Sequence, residues 1–150
     1  MTSTTLTPDV AQIRQLITAK ETLMPAKDAN GLVARYAPEI IQYDLAPPLQ
    51  NSGPEVLDPS GVQGWFSTFE GPLDYEVRDL AVTAGEDVAF CTSLERLTAT
   101  PVGYPDSFTL WVRSTVGLRK IDGTWRITHE HSSTPFYMDG SFKAAVDLQP

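Results

Sequence analysis

The spacing of apolar residues changes about halfway along the chain. In the first half, apolar side chains recur every three or four residues, which is the period of a helix that packs on a core. The first such run contains Val10, Ile13, Leu16, Ile17 and Leu23. A hydroxyl followed by proline opens this run, so we predict a helix over residues 7–24. Two more helices are predicted over residues 27–36 and 58–71, each ending at a helix-breaking Gly or Pro.

In the second half, apolar and polar residues alternate with the period of a strand. The predicted strands cover residues 73–82, 87–98, 108–121 and 124–132. The last two are joined by Asp122-Gly123, a pair that tolerates the positive φ of a tight hairpin. One shorter strand, over residues 39–44, lies between the second and third helices and is followed by a Pro-rich loop over residues 45–58. Successive strands with short connections favour an antiparallel meander.

Helices gathered ahead of a run of strands predict an α+β fold. We expect a cone-shaped, curved antiparallel sheet wrapped around the three helices of the N-terminal half, with a pocket at the open mouth of the cone. The chain has 150 residues, which fits a single domain over residues 1–150.

Charge and cysteine content narrow the classes of partner. The formal net charge is −8, and such an acidic chain lacks the basic surface that nucleic acids or anionic membranes require. Cys91 is the only cysteine, so no intrachain disulfide can form, and its apolar strand predicts a buried packing residue. Residues 1–5 have neither the charged nor the apolar region of a secretory leader. We therefore expect a soluble cytoplasmic protein.

Asp44 is the first candidate for chemistry. It ends the short strand over residues 39–44 and precedes Leu45-Ala46-Pro47-Pro48, which cannot extend a strand. A carboxylate at the rim of a sheet that faces an apolar pocket is a candidate proton acceptor, because desolvation raises its pKa. The alternative is an acid that caps the following loop through backbone amides.

His129 and His131 are the only histidines, and they lie two residues apart on a predicted strand. Residues two apart share a face, so both should lie on the face of the apolar Trp125 and Ile127, which we predict to be the inward one. There they could donate to a substrate oxygen or act as general acids. The alternatives are half-buried structural histidines, or a metal site formed with Asp44. Because no further ligand cluster accompanies them, we predict no metal. The sequence has no phosphate-binding glycine loop and no nucleotide fingerprint, so we predict no cofactor.

Further candidates would bind substrate and do no chemistry. Aromatic residues near the predicted mouth could stack on a flat ligand, although core packing is their usual role. The candidates of this kind are Tyr36, Tyr43, Trp65 and Phe69. Arg113 would bind a ligand carboxylate if it pointed inward. The alternation of side chains along the strand also permits a surface or interface position for Arg113, as for Arg96. Glu130 alternates with the histidines and is predicted at the surface or an interface.

Three stretches of the sequence resemble the nuclear-transport-factor-2-like superfamily, in particular its SnoaL-like, ketosteroid-isomerase-homologue branch. They are Tyr36-Ala37-Pro38-Glu39 through Pro48, Trp111 through Gly117, and Asp122 through Ser132. The resemblance implies a conical α+β barrel, usually dimeric, around an apolar cavity. It also places Asp44 where ketosteroid isomerases carry a catalytic aspartate. Their oxyanion-hole residues have no counterpart, since the first helix has no Tyr and residues 108–121 contain no acid.

The resemblance therefore implies a cofactor-independent acid–base enzyme acting on a small apolar organic molecule. Isomerase, dehydratase, cyclase and epoxide-hydrolase reactions all remain open, with ketosteroid-isomerase-like or polyketide-cyclase-like activity as the enzyme types. The alternative is a non-catalytic domain for small-molecule binding or oligomerisation, as in the association domain of calcium/calmodulin-dependent protein kinase II. We expect a homodimer formed through the outer sheet face around Trp111, Arg113 and Glu130. The tail over residues 135–150 is predicted to pack back on the body.

Overall fold

The computed structural model describes residues 7–150, so the expectation about residues 1–5 lies outside the described residues. The helices are α1 (Pro8–Thr18), α2 (Lys20–Leu23), α3 (Ala29–Val33), α4 (Pro54–Leu57) and α5 (Ser60–Phe66). The strands are β1 (Tyr36–Tyr43), β2 (Asn51–Ser52), β3 (Phe69–Ala84), β4 (Val88–Pro101), β5 (Phe108–Ile121) and β6 (Thr124–Ser133). None of the helices in residues 7–150 has the length and apolar character needed to cross a membrane.

All six strands form one curved sheet in the order β2-β1-β6-β5-β4-β3. The predicted α+β class is confirmed, as is the antiparallel meander from β3 to β6. The pairing of β1 with β6 is parallel, which the sequence did not predict. Parallel neighbours need a long crossover connection, and here the chain between β1 and β6 supplies it. Because β2 and β3 form the two edges, the sheet is open.

The helices are shorter than predicted. The side chain of Thr7 accepts a hydrogen bond from the Val10 N–H, as its capping role requires, but the first helix is interrupted at Ala19 and continues as α2. The second helix was predicted to reach residue 36, and this is wrong, because α3 ends at Val33. The chain extends there because the Arg35 carbonyl accepts the N–H of Ile127 at 2.9 Å, which ties it to β6.

The segments around the third helix also differ from the prediction. Helix α5 ends at Phe66, and Phe69 begins β3, so its predicted helical position is wrong. The strand can start before Gly71 because its pairing shifts between residues 70 and 74, and Gly71 takes a φ of +66° within that shift. The predicted loop over residues 45–58 contains α4 and β2.

Two buried clusters form the core between the sheet and the helices. The first includes Ile13, Ile17, Tyr36, Ile40, Val56, Trp125 and Ile127. The second includes Met24, Ala29, Leu32, Phe66, Leu73 and Ala99. Trp125 belongs to the first cluster, and its indole N–H donates to Oδ1 of Asp9 in α1 at 3.0 Å. Members of both clusters contribute to the wall of one cavity.

Candidate functional site

The cavity has a volume of about 510 Å³, within the range of small-molecule sites. Its apolar wall consists of Met24, Leu32, Val56, Val62, Trp65, Leu97, Leu110 and Val112. Its ionisable and polar lining residues fall into two sets that differ in exposure. The less exposed set consists of the buried Arg35, Tyr36, Glu95 and Glu130 and the half-buried Lys20, Gln42, Asn51, Tyr75 and Ser132. The exposed set, which we call the rim acids, consists of Asp44, Glu55 and Asp58.

Glu95 is the centre of the first buried polar cluster. Its side chain is 1% exposed, and Nζ of Lys20 lies 2.7 Å from its Oε1. The hydroxyl of Tyr75 donates to the same Oε1, and the hydroxyl of Ser93 donates to Oε2 at 3.1 Å. Lys20 also lies 4.8 Å from the centre of the Tyr75 ring. Helix α2 and strands β3 and β4 therefore meet at one carboxylate.

Glu130 is the centre of the second buried cluster. Its Oε1 accepts hydrogen bonds from the Tyr36 hydroxyl at 2.8 Å and from Nε2 of Gln42 at 2.9 Å. One terminal nitrogen of Arg35 lies 3.8 Å from Oε2. The guanidinium is held by two further bonds, to the carbonyl oxygens of Leu32 and Leu16 at 3.1 and 3.2 Å. This cluster joins β1 to β6 beneath the cavity wall.

Burial would raise the pKa of both glutamates, yet both stay below their usual range. Burial is the largest single influence on each pKa. At Glu95 it is outweighed by the charge of Lys20 together with hydrogen bonds from Lys20, Tyr75 and Ser93. At Glu130 it is outweighed by the charges of Lys20 and Arg35 together with hydrogen bonds from Gln42 and Tyr36. Burial likewise opposes the charge on Lys20, but the Tyr75 and Glu95 oxygens hold the pKa of its ammonium well above its usual value. Both carboxylates are therefore ionised and Lys20 is a permanent cation at neutral pH.

The two cavity tyrosines stay protonated for the opposite reason. Burial raises the pKa of Tyr36, and the negative charge of Glu130 adds to that effect. Burial also raises the pKa of Tyr75 and, together with the adjacent Glu95, outweighs the opposing charge of Lys20. Both hydroxyls thus act as hydrogen-bond donors within the clusters.

Asp44 lies at the cavity rim, where the sequence predicted an acid. It is exposed, and its Oδ1 accepts the N–H of Leu45 at 2.8 Å. This bond is the loop cap that formed the alternative interpretation. The two interpretations are compatible, since one carboxylate oxygen caps the loop and the side chain still lines the cavity.

The predicted inward position of His129 and His131 is wrong. In the pairing of β5 with β6, Gly117 faces His129 and Leu118 faces Ile127, so Thr128 is an extra residue without a partner. A β-bulge of this kind reverses the alternation beyond it. Up to the bulge, Trp125 and Ile127 face the core, and after it Glu130 and Ser132 face the cavity.

The histidines lie on the outer face of the sheet as a result. The Nδ1–H of His129 donates to the carbonyl oxygen of Ile41 at 2.8 Å. The ring of Tyr43 contacts both imidazoles edge-on, with centroid distances of 4.8 and 5.3 Å. Tyr43, predicted to contact substrate, therefore belongs to this outer cluster and is absent from the cavity lining.

The other predicted site residues also fall into two groups, those that line the cavity and those that do not. Tyr36 and Trp65 line the cavity, as expected. Phe69 packs edge-on against Trp65 at 5.1 Å behind the wall and does not line the cavity. Arg113 is exposed on the outer face, where its Nε donates to the Ser133 hydroxyl at 3.1 Å, so the prediction that it binds substrate is wrong. The reason is that side chains alternate between the two faces of a strand, and its neighbour Val112 faces the cavity.

The family of this chain follows from its similarity to known protein domains. The SnoaL-like domain profile matches residues 13–137, which is most of the chain. This chain belongs to the SnoaL-like domain family. No curated protein matches it significantly.

Solved structures agree with that assignment. An NTF2-like protein of unknown function from Pseudomonas putida KT2440 is 32% identical, with a TM-score of 0.80 over 93% of this chain and 95% of that one. A ketosteroid isomerase-like protein from Erwinia carotovora atroseptica SCRI1043 is 20% identical, with a TM-score of 0.69 over 84% of this chain and 95% of that one. An NTF2-like superfamily protein from Salmonella enterica serovar Typhimurium LT2 is 16% identical, with a TM-score of 0.72 over 87% and 94%. The last two likenesses show the fold alone.

Several cavity residues of this SnoaL-like chain were missed, although a signal was present for three of them. Lys20 follows Ile13 and Ile17 at helical spacing, which places it on the buried face of the first helix. Glu95 follows Ala89, Cys91 and Ser93 at strand spacing, and all four are buried. Tyr75 likewise follows Leu73. An ionisable residue on a core-facing stripe is the signal that identifies them.

Two remaining predictions concern residues outside the polar clusters. Cys91 is 1% exposed, and burial raises the pKa of its thiol to about 11, which suits the predicted packing role. Within residues 7–150, no three His, Cys, Asp or Glu side chains are placed to hold a metal ion.

Proposed function

We propose that this chain is a cofactor-independent acid–base enzyme acting on a small apolar organic molecule. The observation that carries the proposal is one cavity that combines an apolar wall, buried permanent donors and an exposed carboxylate at its rim. Such a combination separates a proton acceptor from the groups that stabilise developing negative charge. Isomerase, dehydratase, cyclase and epoxide-hydrolase reactions all use this pair of functions, and the likeness to a ketosteroid isomerase-like protein supports the first of them.

In the proposed mechanism, Asp44 accepts the proton. Only one of its oxygens is engaged, by the N–H of Leu45, whereas Glu95 and Glu130 both face donors on each of their oxygens. Their lowered pKa values make the two buried glutamates weaker bases than an ordinary carboxylate. Their part is to keep Lys20 and Arg35 charged and fixed. His129 and His131, catalytic candidates by sequence, are not assigned a step because they lie across the sheet from the cavity.

The test uses 5-nitrobenzisoxazole, a flat apolar probe whose ring opens when a base removes the proton on C3. The N–O bond then breaks, a nitrile forms, and the oxygen leaves as a coloured phenolate. We expect the wild-type protein to open the ring faster than an equal concentration of acetate does. Asp44→Asn should lower this rate at least a hundredfold, as for loss of a general base. Asp58→Asn is the control, since it removes the same charge from an exposed rim acid that caps the Ser60 N–H.

Equal losses in the two variants would show a general charge effect and contradict the role of Asp44. A wild-type rate no higher than that of acetate, together with binding of the probe, would favour the non-catalytic binding domain. That second candidate is supported by the pairing of both buried carboxylates with cations of the chain itself, Glu95 with Lys20 and Glu130 with Arg35. In both cases we propose that the chain is one domain and a homodimer through the outer face of β5, where the Arg78 guanidinium stacks on Trp111 at 4.6 Å. A monomer in sedimentation would contradict the dimer.

A further inference from the structure

One side of the cavity is lined only by side chains that carry a polar atom. They come from β2, β1 and β6, which lie next to one another in the sheet, and they are Tyr36, Gln42, Asn51, Glu130 and Ser132. Gln42 pairs with Asn51 on one neighbouring strand and with Glu130 on the other. Cross-strand partners share a face of the sheet, so these three residues form a row across three strands. We call Gln42, Asn51, Glu130 and Ser132 the polar strip.

Glu130 is the buried member of the polar strip, and one of its oxygens has no hydrogen bond. The residue is 8% exposed, and its Oε1 accepts from the Tyr36 hydroxyl and from Nε2 of Gln42. Its Oε2 lies 3.8 Å from a terminal nitrogen of Arg35, which makes an ion pair but is too long for a hydrogen bond. Among residues 7–150, no donor lies within hydrogen-bond distance of Oε2. A buried carboxylate oxygen in this state favours a ligand that brings the missing donor.

The rest of the polar strip adds acceptors beside that oxygen. Gln42 uses its amide nitrogen on Glu130, which leaves its amide oxygen to accept. Ser132 follows Glu130 by two residues on the same face of β6, and a serine hydroxyl both donates and accepts. Asn51 contributes a further amide oxygen to the lining. A ligand hydroxyl suits such a strip because it can donate to one group and accept from another, whereas a methyl group can do neither.

Charge decides whether the donor that a ligand brings is neutral or cationic. At this end of the cavity, Glu95 is paired with Lys20 and Glu130 with Arg35, so the buried charges balance. A protonated amine would add a third cation beside Lys20 and Arg35 and leave it without a partner of its own. A ligand carboxylate has no donor and would meet the negative charge of Glu130. The balance therefore favours a neutral hydroxyl.

We propose, on the basis of the proposed function, that the cavity selects a neutral apolar molecule with a hydroxyl group, an alcohol or a phenol, that donates a hydrogen bond to Oε2 of Glu130. Glu130 is then a specificity-determining residue. It holds the hydroxyl without removing its proton, because the pKa of this carboxyl lies below its usual range and that of a hydroxyl lies far above it. The apolar wall binds the body of the molecule. An ether or an alkyl group in place of the hydroxyl leaves Oε2 without a donor.

The experiment compares four naphthalenes by isothermal titration calorimetry at pH 7. They are 2-naphthol, a neutral donor; 2-methoxynaphthalene, which only accepts; 2-methylnaphthalene, which has the size of the naphthol but no polar atom; and 2-naphthylmethylamine, which is protonated. We expect the wild-type protein to bind 2-naphthol at least about tenfold more tightly than the methoxy and methyl compounds, as for a hydrogen bond to a charged group. The amine should bind more weakly than 2-naphthol.

The variant Glu130→Gln tests the residue itself. Tyr36 and Gln42 both donate to Oε1, so the new amide keeps its oxygen there and places its NH2 group at the position of Oε2. An acceptor becomes a donor, and the preference for 2-naphthol over 2-methoxynaphthalene should fall below about threefold, since both ligands can accept. The control is Glu55→Gln, which makes the same change at an exposed rim acid of the same cavity and should keep the preference.

Equal binding of 2-naphthol and 2-methylnaphthalene by the wild type overturns the inference and leaves the proposed function standing. This comparison needs no variant, so it decides the matter even where Glu130→Gln does not fold. A preference that Glu130→Gln retains, or that Glu55→Gln loses equally, overturns the role of Glu130. Tighter binding of the amine than of 2-naphthol overturns the neutral ligand class. If no naphthalene binds at all, including the methyl compound, the proposed function fails as well.

Discussion

Nζ of Lys20 lies 2.7 Å from Oε1 of Glu95, although the two residues are 75 positions apart in the chain. The contact connects helix α2 to the middle of strand β4 across the cavity floor. Burying two charges costs several kcal/mol each, and their attraction recovers that cost only while both are present. The pair therefore positions a cation where a ligand can reach it, and its contribution to stability depends on both members.

The first prediction concerns that dependence. Glu95→Gln removes the negative charge and leaves the Lys20 ammonium buried, so we expect the free energy of unfolding in urea to fall by about 3–5 kcal/mol. The double variant Lys20→Met with Glu95→Gln removes both charges and should recover at least half of that loss. A double variant as unstable as Glu95→Gln alone would show that the packing around the pair, and not its charge, supports the fold.

A matched control is available on the surface. Arg119 and Glu39 form an ion pair of 4.0 Å whose side chains are 61% and 51% exposed. Water screens such a pair, so Glu39→Gln should change the free energy of unfolding by less than about 0.5 kcal/mol. A loss as large as that of Glu95→Gln would mean that burial does not govern the effect.

The second prediction concerns the stability of the fold at acid pH. Glu95 and Glu130 have pKa values below their usual 4.5 in the folded chain, because neighbouring cations and donors outweigh burial. A depressed pKa contributes stability above pH 4.5, and that contribution disappears as the pH falls through the folded values. We expect the free energy of unfolding to decrease below pH 4.5 in wild type, and less steeply in Glu130→Gln. Parallel pH profiles for the two proteins would contradict the assignment.

The third prediction concerns the ionisation of the cavity tyrosines at alkaline pH. Burial raises the pKa of Tyr36 and Tyr75, so the folded state is favoured below pH 10 and loses that advantage as the pH rises toward the folded values. After a jump to pH 11.5, we expect phenolate absorbance to rise in a fast phase and then in a slow phase that follows unfolding. Tyr36→Phe should reduce the slow amplitude, whereas Tyr104→Phe, whose side chain is 66% exposed, should reduce the fast one. A slow amplitude that Tyr36→Phe does not change would show that Tyr36 ionises in the folded chain.

Much of the fold followed from local sequence patterns, because each pattern reports local geometry. Thr7 capped α1 as its position predicted, and Asp122-Gly123 formed the hairpin, with a φ of +50° at Asp122 and +80° at Gly123. The parallel pairing of β1 with β6 could not be predicted in this way, since it depends on contacts between residues about 90 positions apart, such as Ile41 with His129.

The candidate site was predictable only in part. Asp44 lies at the rim because a strand end and a Pro-Pro segment fix its position locally. The face of each residue after Thr128 depended on one unpaired residue in β6. Gly117 stands opposite that bulge in β5, and a glycine within a strand can mark a bulge, but it does not show which strand carries the extra residue. The same shift that moved His129 out of the cavity moved Glu130 into it, so a single register irregularity reversed two assignments.

The last prediction concerns two glycines in short helices. A methyl group on Gly31 in α3 would come 2.6 Å from Oδ2 of Asp28 and from Cδ2 of Leu23, whereas one on Gly64 in α5 would meet nothing within 4 Å. Asp28 caps α3 by accepting the Gly31 N–H at 2.9 Å, so Gly31→Ala displaces the cap. We expect Gly31→Ala to lower the free energy of unfolding by about 1 kcal/mol, since the lost cap outweighs the gain in helix propensity.

Gly64→Ala should raise the free energy of unfolding by about 0.5–1 kcal/mol, because alanine restricts the unfolded chain and meets no obstacle in the helix. Urea unfolding of the two variants beside wild type measures both changes. If both stabilised the protein equally, Asp28 would have moved without cost, and the cap would contribute nothing to α3. Since α3 carries Leu32 to the cavity wall, the same pair of variants also tests whether the cap supports the site: Gly31→Ala alone should weaken binding of 5-nitrobenzisoxazole.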